Sequence, residues 1–577
     1  MLFAIIILIS QSLAAEENSH QQILPASGRI SDIPPGTPFL PHAQLIGMNL
    51  SGMDLSESNL NQSEMQGSDL RGTNLSGSFL IQAIISDANL IGANLSGAFM
   101  PAVDLHGSDL SGSNLRGAYL PICYLADSNM TGSDLSGSNM DQAMMTNLRL
   151  VGAKLNGASL WAVKISDANL AGASLVRAFM NRATLQGSQL NGANLTGASL
   201  VGADLINAAI INADLSGADL SESRCKGANF SGSKLVNSKF GFANLTNANF
   251  SLANLSGSFL VAAGLDDCDF TRANLSGANL KNALMDHAVL SAANLVGANL
   301  AGGHLEDSDL SNSRLEKADL TGASLNGANL TDAKLDGARL VRTDLSLAVL
   351  KGTHLSGANL LGARLNWANL GGSILKNCQL SRAELFGADL SNCDLTNSDF
   401  TRSYLMRANL SRSNLEKTKF ESADLNGANL SETSFCQAKL KGTNLNDADL
   451  SGANLERTAL ESMNVERIVM HRTKLRSADL KMLSFEEADL SEADLRNSKF
   501  HAVFMTDVNL SGADLRNADL NTTALIGVDL RRANLLGIKY DRITLPFIAA
   551  SDLEGARMSA DMRRDLEELK VGTEIMR

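Results

Sequence analysis

A large apolar residue occupies every fifth position of this chain from Leu45 to Leu545, with no change of phase and with rare substitutions such as Cys225 and Val465. Two positions before each central residue lies a small one, usually Ala or Ser, and the residue between them is most often Asn or Asp. A period of five matches neither the 3.6 residues of a helical turn nor the alternation of a flat strand. The pattern therefore predicts short extended sides joined by Gly-rich corners.

Each unit directs one large and one small side chain inward, which predicts a narrow core. Stacked turns of chain would pair backbone with backbone and leave few buried polar groups unmatched. The phenylalanines at central positions are assigned to this core: Phe230, Phe240, Phe250, Phe270, Phe400, Phe420, Phe435, Phe485 and Phe500. In the segment 461–470, ESMNVERIVM, larger residues take the small positions, and a locally widened coil is expected.

The units ANLSG (93–97), ANLTG (193–197) and ADLSG (213–217) resemble the pentapeptide repeat family, whose motif is A(D/N)LXX. The resemblance covers residues 45–545. It implies an all-β fold, a right-handed quadrilateral β-helix in which four units make a coil of twenty residues. The chain would then form about 25 coils and a rod of roughly 120 Å, at about 4.8 Å per coil.

The segments outside the repeats complete a four-part organisation. Residues 1–15 predict a signal peptide, 16–44 a Pro-rich linker and N-terminal cap, 45–545 the repeat β-helix, and 546–577 shifted repeats followed by a C-terminal helix. Pro546 breaks the phase, and Leu553 and Met558 fit two further units in a new register. An apolar stripe from Met558 to Leu569 predicts a helix that ends before Gly572 and covers the last coil. A homodimer seam is the alternative, and family members often dimerise at this end.

The N-terminal residues predict export. An apolar run over 2–9 precedes the small-x-small triplet Ser12-Leu13-Ala14 and then acidic residues, although no Lys or Arg comes before the run. The run is too short for a permanent membrane span, which favours a periplasmic, cell-surface or secreted protein. The alternative is a mis-assigned start.

Catalytic chemistry is not expected from this sequence. The eight histidines have no partner histidine at metal-ligand spacing, and no P-loop, GxSxG elbow or dinucleotide-binding glycine motif occurs. A core filled by its own side chains leaves no concave pocket. We therefore expect no catalytic residues, no cofactor and no metal. The net charge of −13 disfavours nucleic acid as a partner.

Outward-facing aromatic residues are distributed unevenly. With twenty residues per coil, all of them fall on two adjacent sides, and Phe99 and Pro101 lie one coil before Tyr119 and Pro121. The residues predicted to contact a partner are called the aromatic edge: Phe79, Ile84, Phe99, Pro101, Tyr119, Pro121, Tyr124, Trp161, Phe179 and Phe259. A cluster of this extent is of the order of an interaction patch. The alternative is a ladder in which aromatic rings stack only on one another.

These observations predict a non-catalytic, exported binding or scaffold protein that presents the aromatic edge to a protein or a cell-envelope component. One alternative, implied by the family, is a DNA-mimicking inhibitor of a type II topoisomerase. The charge density argues against it, since duplex DNA carries one charge per about 1.7 Å of axis. The other alternative is a secreted bacterial effector.

Overall fold

A computed structural model of the chain describes residues 40–461 and 463–575. The chain divides into two compact units, Met1–Ala209 and Ile210–Arg577. The predicted signal peptide and most of the predicted Pro-rich linker lie outside the described residues. Within the described ranges, no helix combines the length and apolar character needed to cross a membrane.

In both units the chain returns to the same position every twenty residues. Parallel bridges connect residues twenty apart, from Gln44–Glu64 to Gln189–Ala209 in the first unit and from Asp214–Lys234 to Asp519–Lys539 in the second. Since the sequence repeats every five residues, each coil contains four units. The predicted quadrilateral β-helix is confirmed.

Within each unit, main-chain hydrogen bonds join neighbouring coils. The central Leu90 donates its N–H to the carbonyl of Asp109 in the next coil at 2.7 Å, and Asn89 donates to the carbonyl of Ser68 in the preceding coil at 2.9 Å. Both groups are thereby satisfied away from water, as buried backbone requires.

The corner explains the polar consensus of the repeat. The second corner residue has positive φ, 66° at Gly97 and 56° at Ala102, a conformation that Gly adopts without strain. The first corner residue donates its N–H to the Asn or Asp side chain two positions earlier, as in Ser111 N to Asp109 Oδ1 at 2.9 Å. This Asx-type bond accounts for Asn or Asp before the central Leu.

Most polar residues at the small inward position satisfy their own hydrogen bonds, whereas the hydroxyls of Ser68, Ser113 and Ser258 are buried without a partner. The hydroxyl of Ser63 donates to the carbonyl of Leu60 at 2.8 Å, and that of Thr73 to the carbonyl of Leu50 at 2.8 Å. The thiol of Cys378 makes the equivalent bond to the carbonyl of Leu355 at 2.9 Å. Ser, Thr and Cys can therefore replace Ala in the core at little cost.

The nine central phenylalanines are buried, which confirms their assignment to the core. Phe230 and Phe250 stack with ring centroids 4.9 Å apart, and Phe250 and Phe270 with centroids 5.0 Å apart. Phe240 meets Phe230 edge-on at 5.8 Å.

Near the C-terminus two sides of the coil lengthen into strands. These are β1 (Ala459–Glu461), β2 (Asn464–Glu466), β3 (Asp479–Lys481), β4 (Ser484–Glu486), β5 (Lys499–His501), β6 (Phe504–Thr506) and β7 (Ala524–Ile526). They form two parallel sheets, β1-β3-β5 and β2-β4-β6-β7. Met463, Ile468 and Leu483 fill small inward positions here and line a small apolar cavity. This segment includes the coil in which the sequence predicted local widening.

The end of the repeat differs from the prediction. The buried central residues stop at Leu535, because Tyr540 and Leu545 are half-buried and Thr544 takes the inward position. Leu545 begins an unpredicted helix, α1 (Leu545–Ala550), whose first turn contains Pro546. The chain then resumes bridging at an offset of 23, from Asp552 to Asp529 and from Arg557 to Asn534.

The C-terminal helix α2 (Ala560–Ile575) is longer than predicted, because it continues through Gly572. The prediction that it ends before that residue is wrong, since one glycine lowers helix stability by only about 1 kcal/mol. Met562 and Leu566 are buried, and the hydroxyl of Tyr540 donates to Asp565 Oδ2 at 2.7 Å. Burial and this hydrogen bond raise the pKa of Tyr540 to about 12.

Candidate protein-binding surface

Part of the aromatic edge is a stack of rings in the first unit. Phe79, Phe99 and Tyr119 occupy consecutive coils on one side and bridge to one another in sequence. The rings of Phe99 and Tyr119 are parallel, with centroids 5.0 Å apart, and those of Phe79 and Phe99 are tilted, with centroids 6.3 Å apart. Phe99 and Tyr119 are half-buried, whereas Phe79, at the end of the stack, is 47% exposed. We call these three residues the stacked ladder.

The two prolines of the aromatic edge are buried at the corners that follow Phe99 and Tyr119. At an ordinary corner the first residue donates its N–H to an Asn or Asp two positions earlier. Phe99 and Tyr119 offer no acceptor there, and Pro101 and Pro121 have no N–H to donate. The structure thus places these prolines in the interior of the corner, rather than on the exposed surface expected for a partner contact.

Other residues of the first unit remain exposed. Tyr124 and Met144 bridge to one another on the neighbouring side and are 45% and 39% exposed. Trp161 lies at the corner between the two sides and is 42% exposed, and Phe179 bridges to Ser159 and Ser199 and is 57% exposed. We call Tyr124, Met144, Trp161 and Phe179 the exposed group. They occupy four consecutive coils, a span of about 15 Å along the coil stack.

Trp161 is positioned by a polar contact. Its backbone N–H donates to Asp141 Oδ1 at 3.0 Å, and the hydroxyl of Ser159 donates to the same oxygen at 2.6 Å. Ser159 holds the position usual for Asn or Asp but does not accept the N–H of Trp161. Asp141 supplies that acceptor instead. The corner that carries the indole is fixed by two hydrogen bonds to one carboxylate.

Ile84 and Tyr124 are separated by an acidic residue. Asp104 bridges to both and lies between them on the same side. His106 Nδ1 is 2.7 Å from Asp104 Oδ1, and this hydrogen bond raises the pKa of His106, with smaller contributions from Asp87 and Asp127. Ile84 is half-buried and is therefore not continuous with the exposed group.

Carboxylates accompany the exposed group. Asp87, Asp127 and Asp167 occupy the second corner position on every second coil, which spaces them about 10 Å apart. Asp104 and Asp141 add two more charges, and Lys164 bridges to Met144 as the basic residue of this side. The exposed Arg177 and Arg182 flank Phe179, so the acidic residues border Tyr124, Met144 and Trp161 rather than the whole exposed group.

Phe259 belongs to the second unit and not to the surface just described. It bridges to Lys239 and Asn279 and is 49% exposed. Other outward aromatics of that unit are Phe242, Trp367, Phe386, Tyr404 and Phe504. Among the residues that the structure describes, no group of three or more His, Cys, Asp or Glu side chains is placed to hold a metal ion.

Two family models, both of pentapeptide repeats, match the chain. One, a pentapeptide repeat region, matches residues 373–450. The other, pentapeptide repeats in eight copies, matches 42–77, 83–120, 123–161, 164–200, 188–224, 198–237, 223–260, 233–272, 268–307, 288–327, 328–366, 468–507 and 505–537. The chain belongs to the pentapeptide repeat family. The resemblance seen in its motifs is confirmed over most of its length.

Solved structures of other pentapeptide repeat proteins are similar to parts of this one. HetL of the cyanobacterium Nostoc sp. strain PCC 7120, involved in heterocyst differentiation regulation, is 32% identical over 37% of this chain and 88% of its own, with a TM-score of 0.26. A protein of the Arabidopsis thaliana thylakoid lumen is 33% identical over 18% of this chain and 64% of its own, with a TM-score of 0.10.

Full-length QnrB1, a plasmid-mediated fluoroquinolone resistance protein, is 18% identical over 43% of this chain and 95% of its own, with a TM-score of 0.14. A comparison with characterised proteins gave no match for this pentapeptide repeat protein.

The sequence did not separate the stacked ladder from the exposed group. Both follow from the same twenty-residue spacing, and only ring geometry distinguishes a covered aromatic from an uncovered one. The sequence could have indicated the role of Pro101. Phe99, two positions before it, replaces the usual Asn or Asp acceptor, and a proline at the corner has no N–H that needs one. No basic residue of the second unit was predicted to contribute to a site. Arg382 and Arg402 are twenty residues apart at the second corner position, so the spacing alone places them on consecutive coils at the same edge.

Proposed function

We propose that this pentapeptide repeat protein is a non-catalytic, exported binding protein that holds a protein partner on the exposed group of its first unit. The observation that carries the proposal is the exposure of Tyr124, Met144, Trp161 and Phe179 on four consecutive coils. Soluble proteins rarely leave large apolar side chains clustered at the surface without a use for them.

Stacking alone does not explain the exposed group. The stacked ladder covers Phe99 and Tyr119 with each other's rings and needs no partner. Phe179, by contrast, has Ser159 and Ser199 as its bridge partners on the neighbouring coils, neither of which is aromatic. We therefore assign the stacked ladder to stability and the exposed group to binding.

The charges around the exposed group select a basic partner. Asp127, Asp141 and Asp167 border Tyr124, Met144 and Trp161, and carboxylates at a rim steer and orient partners that carry Lys or Arg, whereas Arg177 and Arg182 flank Phe179. Aromatic residues at the centre of such a surface supply most of the binding energy. We infer that the partner presents an apolar segment whose basic residues lie at the end that meets Tyr124 and Met144.

Export is part of the proposal and rests on residues 1–15, which lie outside the described residues. Edman degradation or mass spectrometry of the protein recovered outside the cytoplasm is expected to show a new N-terminus near residue 15. Recovery of a chain that begins at Met1 would contradict cleavage.

DNA mimicry is less well supported than protein binding. Asp214 pairs with Lys234, Asp219 with Lys239, and Asp399 with Lys419, at 3.1 to 3.3 Å. Such pairs cancel charge along the sides of the second unit, whereas a DNA mimic needs uninterrupted negative charge. Inhibition of gyrase supercoiling at low protein concentration would favour the alternative.

The proposal is tested with the full chain. Tyr124, Trp161 and Phe179 are changed together to Ser, and photo-cross-linked partners are identified by mass spectrometry and then purified for direct titration. The triple variant is expected to keep its circular dichroism spectrum and to bind the purified partner at least about tenfold more weakly. The matched control changes the exposed Phe242 and Phe259 of the second unit to Ser and is expected to bind normally. Equal binding by the triple variant would overturn the proposal.

A further inference from the structure

The second unit carries an aromatic surface that the proposed function does not use. Trp367, Phe386 and Tyr404 lie on three consecutive coils of one side. Trp367 meets Phe386 edge-on, with ring centroids 5.2 Å apart. Trp367 and Tyr404 remain more than half exposed.

The position of Trp367 depends on a glycine in the next coil. A Cβ on Gly387 would lie 2.5 Å from the six-membered ring of the indole, too close for any side chain. The indole thus lies on bare backbone, with Phe386 at its side. This arrangement holds a large ring in place while leaving much of it accessible.

Three arginines surround these rings. Arg382 and Arg402 occupy the second corner position of consecutive coils on one edge of the side, and Arg407 occupies the same position on the opposite edge. In the coil of Tyr404, Arg402 precedes the ring by two residues and Arg407 follows it by three. All three side chains are exposed.

None of these three arginines forms an ion pair with a residue that the structure describes. Arg364, on the same side, differs, because its guanidinium lies 2.5 Å from Asp344 Oδ2. Glu384 is the carboxylate at the centre of the side, and its Oε2 accepts a hydrogen bond from Asn366 Nδ2 at 3.2 Å. The guanidinium groups of Arg382, Arg402 and Arg407 are therefore free to bind an anion.

We propose that Trp367, Arg382, Phe386, Arg402, Tyr404 and Arg407, the aromatic–arginine surface, bind an acidic segment of a partner protein. Trp, Tyr and Arg are the residues that most often dominate binding energy at protein interfaces. Guanidinium groups bind carboxylates through paired hydrogen bonds, and they do so better than Lys. The net charge of −13 repels a long polyanion from a distance, which favours a short acidic segment over nucleic acid.

This surface is independent of the exposed group. It lies in the other unit, and it selects the opposite charge. Failure of either proposal leaves the other intact, because the variants and the probes differ.

The test uses the full chain and two fluorescein-labelled probes, a random copolymer of Glu and Tyr and an oligothymidylate. Arg382, Arg402 and Arg407 are changed together to Ser. Fluorescence anisotropy is expected to show binding of the copolymer that the triple variant weakens at least about tenfold and that about 0.5 M salt abolishes. The matched control changes Arg272, Arg457 and Arg532, which hold the second corner position on other sides and form no ion pair with a residue that the structure describes, and it is expected to bind within about twofold of the unchanged protein.

The fluorescence emission of Trp367 reports binding at the site itself. The chain has two tryptophans, so W161F leaves Trp367 as the single emitter. Unlabelled copolymer is expected to change its emission saturably, with the same midpoint as the anisotropy. The proposal would be overturned if the copolymer did not bind, or if the control variant weakened its binding equally. It would also be overturned if the emission of Trp367 did not change, or if the oligothymidylate bound more tightly than the copolymer through the three arginines.

Discussion

The backbone N–H of Ile81 donates a 2.9 Å hydrogen bond to Asn61 Oδ1, one coil earlier. Residue 79 is Phe, so the usual acceptor two positions before the corner is missing, and Asn61 replaces it. The same substitution occurs at Phe386, whose N–H donates to Asn366 Oδ1 at 3.0 Å. Where neither acceptor is present, as after Phe99 and Tyr119, the corner residue is proline. At these four corners the N–H that lacks an Asx acceptor is thus either satisfied by Asn one coil earlier or absent because the residue is proline.

Pro101→Ala is expected to destabilise its coil by about 1–2 kcal/mol. The change restores an N–H that Phe99 and Ile81 cannot accept, and it increases the entropy of the unfolded chain. Native-state hydrogen exchange of the neighbouring amides gives the local free energy of opening.

The matched rescue is Phe99→Asn, which returns the Asx acceptor. In a double-mutant cycle the two changes are expected to couple favourably by about 0.5–1.5 kcal/mol, although Phe99→Asn alone loses the stack on Tyr119. Strict additivity would show that the proline has another role.

Gly387→Ala is expected to destabilise the protein more than Gly427→Ala, by about 1 kcal/mol or more. Both glycines have nearly the same positive φ, 63° and 64°, so the backbone strain is matched. Only at Gly387 does the new Cβ meet the ring of Trp367, whereas at Gly427 it makes an ordinary contact with Arg407.

Urea unfolding of both variants measures the difference. In the W161F background the emission of Trp367 is expected to shift in Gly387→Ala alone. Equal destabilisation and unchanged emission would show that the indole does not rest on Gly387.

The imidazole of His106 is expected to lose its raised pKa in Asp104→Asn. The hydrogen bond to Asp104 favours the protonated ring, so the titration midpoint, followed by NMR of the Cε1 proton, should fall in this variant. Asp109→Asn is the control, because Asp109 bonds instead to Ser111 and Asn129. No difference between the two variants would contradict the assignment.

The sign of the associated pH effect follows from the raised pKa. Protonated His106 stabilises the folded state below the pKa of the unfolded chain, near 6.5, and the contribution disappears as the pH rises through the folded pKa. Since the ring is largely exposed, the effect on stability is expected to be small.

One thiol per folded chain is expected to react with a maleimide. Cys436 is half-buried, whereas the other five cysteines are buried. Burial raises the pKa of Cys268, Cys378 and Cys393 to about 12, so little reactive thiolate forms there. Mass spectrometry of the labelled protein gives the count, and Cys436→Ser should abolish labelling unless urea is added. Labelling at a second site of the folded chain would show that a coil opens.

The candidate surfaces were only partly predictable. The twenty-residue spacing placed Tyr119 beside Phe99 and Trp161 at the corner that ends the same side, because each residue's place follows from its number. It could not show that Phe99 is covered and Phe179 is not, since both are Phe at the same position of a unit. Ring orientation depends on neighbours twenty residues away in both directions.

The repeat itself was determined by the sequence. Each unit has one large and one small inward residue with Asn or Asp between them. Stacked β-helical coils bury both side chains and satisfy the backbone hydrogen bonds of every unit. Where the repeat pattern alone did not determine the local structure, tertiary contacts decided it. Leu545 fits the period yet begins a helix, because Thr544 takes the inward position and donates to the carbonyl of Leu520 at 2.8 Å. Gly387 follows the corner consensus, yet its lack of a side chain is what admits Trp367. Local pattern fixes which way a side chain points, but what it meets there depends on the coil above and the coil below.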